Sequence, residues 1–169
     1  MSHESAVRAT SIVRDANGRI VGRTRLQKVA YLLYASGLED GFNFVYKHYG
    51  PYSEELANSA LEASTSGLLR EVEQQASWGG TYSTYSLVAP AAPVGDVRTN
   101  LASAAASADA VELELAATAV FLSKEGFTNP WEETARRKPE KAQNGKLEKA
   151  KQLYAQLSEV QTPVPLPKI

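Results

Sequence analysis

Residues 68–88, with the sequence LLREVEQQASWGGTYSTYSLV, constrain the fold most, because they predict a β-hairpin in a chain that otherwise favours helices. Tyrosine and threonine are typical strand residues, and the paired glycines Gly79 and Gly80 supply the positive φ that tight hairpin turns require. Residues 77–80 are therefore predicted to join two strands. This places the large aromatic residue Trp78 in the turn.

Three helices and one strand are predicted before the hairpin. Residues 2–16 predict the first helix, which an Asn-Gly pair ends. Residues 22–37 predict the second, with Thr24 as its N-cap, because apolar residues recur there at helical spacing. These apolar residues are Leu26, Val29, Ala30 and Leu33. Residues 42–50 are aromatic and β-branched and predict a strand, and residues 53–66 predict the third helix.

The chain after residue 90 favours helices. They are predicted at 97–108, 109–125, 130–138 and 144–160. Pro130 fits the first position of its helix, after a cap at Asn129 or Thr128. The tail, residues 162–169, contains three prolines, and we predict that it is extended and exposed to solvent.

The order helix, helix, strand, helix, hairpin is that of a winged-helix-like unit, in which the hairpin is the wing. We therefore predict an α+β fold that is mainly α. Residues 1–90 form the winged-helix-like unit, and residues 91–161 form a helical segment packed on it within one compact domain. The length of 169 residues allows a real core, since about two-thirds of the unfolded surface is buried at this size.

Composition narrows the functional classes. The chain has no cysteine, which excludes disulfides, thiolate nucleophiles and cysteine-based zinc sites. Metal-ligand spacings and phosphate-binding glycine loops are also absent, so no cofactor is predicted. No apolar run approaches the ~20 residues of a membrane span, and no secretory signal is visible. The expectation is a bacterial cytoplasmic protein that does not contact membranes. The net charge of −1 gives no general attraction to nucleic acid.

The stretch HYGPYSEEL at residues 48–56 brings a histidine and a serine close together in sequence. A catalytic serine needs a base within reach and a third group that orients the base. The simpler interpretation is structural, with Ser53 as a helix N-cap and Glu54 and Glu55 in the first turn, where the helix dipole favours anions. An enzyme built around His48, Tyr49 and Ser53 is our third hypothesis.

A DNA-binding winged helix is the second hypothesis. The helix in the recognition position, residues 53–66, carries three glutamates and no basic residue, which is unfavourable next to phosphates. Nucleic acid would therefore have to contact basic residues elsewhere in the chain. The candidates are Arg23, Arg25, Arg136, Arg137 and Lys138.

The first hypothesis is a protein-interaction module. Trp78 at the tip of the hairpin is either exposed, as tryptophans at binding hot spots are, or folded back onto the C-terminal helices. Trp131 follows Pro130 in the first turn of a helix, which is typical of a core residue.

Three stretches carry a resemblance to known families: GRTRLQKVAYLLYASG, YGPYSEEL and the GLLREV…YSTYSL hairpin. Over residues 20–88, and more loosely to about 157, the chain resembles the YwgA-like family of uncharacterised bacterial and archaeal proteins. It is more distantly similar to the Panacea, or SocA-like antitoxin, domain. Many Panacea domains have a tryptophan where this chain has Tyr49.

The resemblance to the Panacea domain implies a non-catalytic module that binds and neutralises a partner protein, typically a toxin. The positions that match the family motifs are Leu26, Gln27, Lys28, Tyr31, Gly50, Pro51, Tyr52 and Ser53. Together with the hairpin, they give the predicted partner-binding residues. These are Trp78, Tyr49, Tyr52, Lys28 and Tyr31.

Overall fold

The computed structural model describes residues 2–47 and 50–169. The fold is α+β and mainly α, as predicted, with a winged-helix-like N-terminal unit followed by helices. The first unit contains α1 (Ser2–Asp15), β1 (Arg19–Val21), α2 (Arg23–Ala35), β2 (Val45–Lys47), β3 (Gly50–Tyr52), α3 (Glu54–Thr65), β4 (Leu69–Gln75) and β5 (Thr81–Leu87). The following helices are α4 (Val97–Ala106), α5 (Ala110–Lys124), α6 (Pro130–Arg137) and α7 (Lys146–Ser158).

The wing belongs to a three-stranded antiparallel sheet with the order β1-β5-β4. The predicted hairpin is confirmed, with Val72 opposite Thr84 in the β4–β5 pair. Strand β1 was not predicted, because three residues are too short to show an alternating pattern. It pairs with β5 through Ile20 and Tyr85, and both of these side chains are buried.

The start of α2 also differs from the prediction. Its N-cap is Gly22, with a φ of 100°, and Thr24 lies inside the helix. Gly22 donates its N–H to the Ser83 carbonyl at 2.7 Å, and its own carbonyl accepts the N–H of Leu26 at 3.1 Å. The hydrogen bonds between β1 and β5 thus continue to Gly22, the residue at which α2 begins.

The prediction of one strand over residues 42–50 is wrong. Strands β2 and β3 instead form a small antiparallel pair, in which Val45 lies opposite Tyr52 and Lys47 opposite Gly50. Gly50 has a φ of 93°, which is outside the extended region and favours glycine. His48 and Tyr49 lie outside the described residues.

One continuous hydrophobic core runs through both predicted segments. It joins buried residues of α1, such as Ile12, to Leu101 of α4 and Leu113 of α5. The middle of helix α5 is buried continuously from Leu113 to Val120. Among residues 2–47 and 50–169, no helix combines the length and the apolar character needed to cross a membrane.

The prediction that the whole tail is exposed to solvent is wrong. Leu166 is buried and belongs to the core, and the N–H of Val164 donates to the Ser36 carbonyl at 3.0 Å. Gly37 makes room for this contact, because a Cβ at that position would lie 2.9 Å from Cγ2 of Val164. The tail therefore packs across the end of α2.

Candidate functional site

The exposed tip of the β4–β5 hairpin is the candidate functional site. The Ala76 N–H donates to the Gly80 carbonyl at 2.7 Å, and the Gly79 N–H donates to the Ala76 carbonyl at 3.1 Å. Gly79 has a φ of 96°, which supplies the positive φ that the sequence predicts. These contacts close the turn that carries Trp78.

Trp78 is 74% exposed, the highest value among the large hydrophobic residues whose exposure the structure describes. It does not fold back onto the C-terminal helices, which decides between the two alternatives. Its ring lies on Gly80, where a Cβ would overlap the indole. Gly80 is therefore needed for the position of Trp78, and not for a positive φ.

The other predicted partner-binding residues lie elsewhere. Lys28 and Tyr31 are 1% and 2% exposed, so neither presents a contact surface. The ring of Tyr31 packs against the aromatic rings of α2, α5 and the loop before β2, and burial raises its pKa. Tyr52 is partly buried with the Lys47 ammonium 4.7 Å from its ring centroid, and Tyr49 lies outside the described residues.

The family-like motifs meet at a buried corner between α2 and β3, which we call the α2–β3 corner (residues 27, 28 and 50–53). The Gln27 side chain donates to the Ser53 carbonyl at 2.9 Å and accepts the Ser53 N–H at 2.8 Å. The Lys28 ammonium donates to the Pro51 carbonyl at 2.9 Å. Two adjacent side chains of one helix therefore hold three backbone groups, one in β3 and two at the N-cap of α3.

Ser53 is the N-cap of α3, as predicted, because its hydroxyl accepts the Leu56 N–H at 3.1 Å. Gly50 completes the corner. A Cβ at this position would overlap the hydroxyl of Thr118 on α5. These contacts give Gly50, Pro51 and Ser53 structural roles, and the hydroxyl of Ser53 is already used within the helix cap.

Glu114 of α5 lies at the centre of a buried ionic cluster next to this corner. It accepts hydrogen bonds from the ammonium groups of Lys138 at 2.9 Å and Lys141 at 2.8 Å. Burial lowers the pKa of Lys28 to about 7, although the negative charge of Glu114 opposes the shift. Such a pKa suits a lysine nucleophile, but Lys28 is only 1% exposed and a substrate cannot reach it in this structure.

The predicted nucleic-acid-binding residues are held in contacts within the fold. Arg23 pairs with Glu71 at 3.0 Å, and Arg25 donates to the Val21 and Ala108 carbonyls at 2.7 and 3.0 Å. Lys138 is 7% exposed, next to Glu114. Arg25 and Lys138 are at least partly buried, whereas the Arg23 side chain is 66% exposed but ion-paired.

Arg136 and Arg137 are similarly engaged. Both donate hydrogen bonds to Glu133, and these bonds lower the pKa of that carboxyl to about 2. The Arg137 guanidinium also lies 4.8 Å from the ring centroid of Tyr46 and 5.2 Å from that of Phe127. The Arg136 side chain is 70% exposed, but like the other basic candidates it is engaged in a contact within the fold.

A second ionic network was not predicted from the sequence. Arg98 pairs with Asp15 at 2.7 Å and with Glu39 at 3.1 Å, and both carboxylates are buried. Burial opposes ionisation of Asp15, but hydrogen bonds from Arg14 and Arg98 lower its pKa. The network fastens α4 to α1 and to the loop after α2, and no local sequence signal marks residues so far apart.

Within the part of the chain that the structure describes, no group of three His, Asp or Glu side chains is placed to hold a metal ion. Comparison with protein-family models, curated proteins and solved structures gives no match for this chain. The resemblance to the YwgA-like family and the Panacea domain therefore stays a prediction.

Proposed function

We propose that the chain is a non-catalytic protein-interaction module, antitoxin-like or defence-associated, that acts in the bacterial cytoplasm with Trp78 as its main contact residue. The observation that carries this proposal is the 74% exposure of Trp78 at the hairpin tip. Tryptophan is enriched among residues that dominate binding energy, because it brings a large rigid area to an interface.

The way the hairpin holds Trp78 favours binding. Its ring rests on Gly80, and the turn is closed by backbone hydrogen bonds on either side. A side chain that is already positioned loses less conformational entropy when a partner covers it. Val72 on β4 is 43% exposed and adds apolar area to the same hairpin.

The expected partner is a toxin, and the support for this choice is the resemblance to the SocA-like antitoxin domain. The contacts of the α2–β3 corner fit the same interpretation, because the residues that match the family motifs maintain the fold that presents the hairpin. The internal pairing of the basic candidates gives the DNA-binding hypothesis less support.

A photo-crosslinking amino acid at position 78, introduced in the native host, tests the proposal. The control carries it at position 94, because Val94 is 56% exposed and lies outside the hairpin. We expect position 78, and not position 94, to capture one specific protein. Calorimetry with that purified protein should then show binding at least about tenfold weaker for Trp78→Ala, as for a hot-spot residue, and unchanged for Val94→Ala.

Equal capture at both positions, or equal affinity of Trp78→Ala and the wild type, would contradict the role of Trp78. Co-expression separates the toxin from other partners, because a toxin partner should arrest growth unless the intact chain is present. A titration with duplex DNA at low salt tests the alternative hypothesis of a DNA-binding regulator. Tight binding with a steep salt dependence would favour a DNA-binding regulator instead.

A further inference from the structure

A cavity of about 760 Å³ lies between α6, α7 and the tail. Trp131 and Tyr154 form one wall, with their rings edge to face and their centroids 5.9 Å apart. Leu166 and Ile169 of the tail also line the cavity. The volume falls in the range of small-molecule sites, which are typically concave and mostly apolar. The cavity shares no residue with the hairpin tip.

The tail that closes this cavity is fastened at several points. The Tyr154 hydroxyl donates to the Pro167 carbonyl, Leu166 is buried in the core, and Val164 is hydrogen-bonded to Ser36. Prolines in the tail also restrict its backbone. The cavity is therefore formed before any ligand enters, which lowers the entropy cost of binding.

The charged side chains that line the cavity are both cationic. They are Lys151 of α7 and Lys168 of the tail, and the described residues that line the cavity include no acidic residue. Lys151 has one neighbouring carboxylate, Glu148, at 3.4 Å, but this is an exposed pair of the weak kind. A second cavity, of about 440 Å³, also borders Trp131, Lys151 and Lys168, and Glu132 is the acidic residue among its lining residues.

We propose that this cavity binds a small organic anion with an aromatic or branched aliphatic body, such as an aryl-alkyl carboxylate. The apolar body lies against Trp131, Tyr154 and Leu166. The carboxylate accepts hydrogen bonds from Lys151 and Lys168, which are stronger than neutral ones because both partners are charged. This function is independent of the protein contact at Trp78.

Three probes of similar size and different charge test the proposal: 4-phenylbutyrate, 4-phenylbutanol and 4-phenylbutylamine. Trp78→Phe leaves Trp131 as the one remaining tryptophan, so that its fluorescence reports on the cavity. We expect 4-phenylbutyrate to change this fluorescence saturably, the alcohol to bind more weakly, and the amine not to bind. Isothermal calorimetry on the wild-type chain gives the affinities.

Variants then locate the site. Lys151→Gln and Lys168→Gln should each weaken 4-phenylbutyrate binding about fivefold, as expected for the loss of one charge-assisted hydrogen bond. Lys149→Gln is the matched control, because it makes the same charge change on an exposed position of α7 that does not line the cavity. Ala155→Phe, at an exposed position of the α7 wall, should fill the cavity and abolish binding.

Thermal denaturation of each variant confirms that it is folded. Binding that depends on both lysines, is unaffected by Lys149→Gln and is lost in Ala155→Phe supports the proposal. Absence of 4-phenylbutyrate binding to the folded wild type overturns it. Equal binding of the amine, or equal weakening by Lys149→Gln, also overturns it, because the recognition would then not be of an anion in this cavity.

Discussion

The α2–β3 corner and the hairpin tip place their distinctive side chains in opposite environments. At the corner, Gln27 and Lys28 are buried and their polar atoms are bonded to the backbone of Pro51 and Ser53. At the tip, Trp78 is exposed and contacts mainly its own turn through Gly80. The residues that match the predicted family motifs thus maintain the fold, and the accessible aromatic lies in the turn that Gly79 and Gly80 form.

The largest effect that this comparison predicts is at Gly50. Replacing it with alanine should lower the free energy of unfolding by about 4 kcal/mol, because the Cβ overlaps Thr118 and the φ of 93° is strained for an L residue. Urea denaturation measures the change. Gly126→Ala is the matched control, since Gly126 has a φ of 96° and open space around its Cα.

The control should cost only the backbone term, about 1–2 kcal/mol. The double variant Gly50→Ala/Thr118→Ala should recover most of the remaining difference, because it removes the hydroxyl that the Cβ meets. If Gly50→Ala and Gly126→Ala destabilise the chain equally, the close approach of the corner to α5 has no energetic importance.

The next largest effect is at Gln27. Gln27→Leu keeps a similar volume but leaves the buried N–H and carbonyl of Ser53 without their partner, so the free energy of unfolding should fall by about 3 kcal/mol. Gln152→Leu, at an exposed position of α7, should change it by less than about 0.5 kcal/mol. Equal unfolding midpoints for the two variants would show that the Gln27–Ser53 bonds do not hold the corner.

The difference between the two regions also explains which features the sequence could predict. Ser53 as a cap and Gly79 in a tight turn follow from local rules, and both predictions are confirmed. The burial of Lys28 depends on Pro51 and on α5, which are distant in sequence. The family motif predicts that Lys28 contacts a partner, and nothing within α2 itself indicates that this side chain is buried.

Long-range packing accounts for the other differences between the predicted and the observed structure. Leu166 lies in a proline-rich tail that favours an extended chain, yet it fills a place in the core that Tyr154 and Val164 help to define. Strand β1 exists because β5 provides its partner, and three residues alone would not form a strand. The sequence does not determine the exposure of Trp78, since a tip residue can either face solvent or fold back.

The pH dependence of stability tests the burial of Lys28. Its folded-state pKa of about 7 lies below the ordinary value of 10.5, so the unfolded state binds more protons between these values. Stability should therefore rise with pH through this window, by about 2 kcal/mol from pH 7 to pH 9 for this group. The measurement is urea denaturation of the wild type and of Lys28→Met.

The difference between the two proteins isolates Lys28 from other groups that titrate in the same range. Lys28→Met keeps the length and removes the ionisable group, so its stability should lack this rise. If the wild type and Lys28→Met show parallel pH profiles, the lysine is not held in the low-dielectric environment that the structure describes.

The smallest effect on stability is expected at Trp78, where the functional effect is expected to be largest. Trp78→Ala removes a side chain that is already mostly in water, so the free energy of unfolding should change by less than about 0.5 kcal/mol. Tyr85→Ala is the contrast on the same hairpin, because Tyr85 is 3% exposed and its loss should cost about 3 kcal/mol. A loss at Trp78 comparable to that at Tyr85 would mean that the indole stabilises the hairpin. A stable Trp78→Ala protein that no longer binds the crosslinked partner would instead separate the contact surface from the fold that presents it.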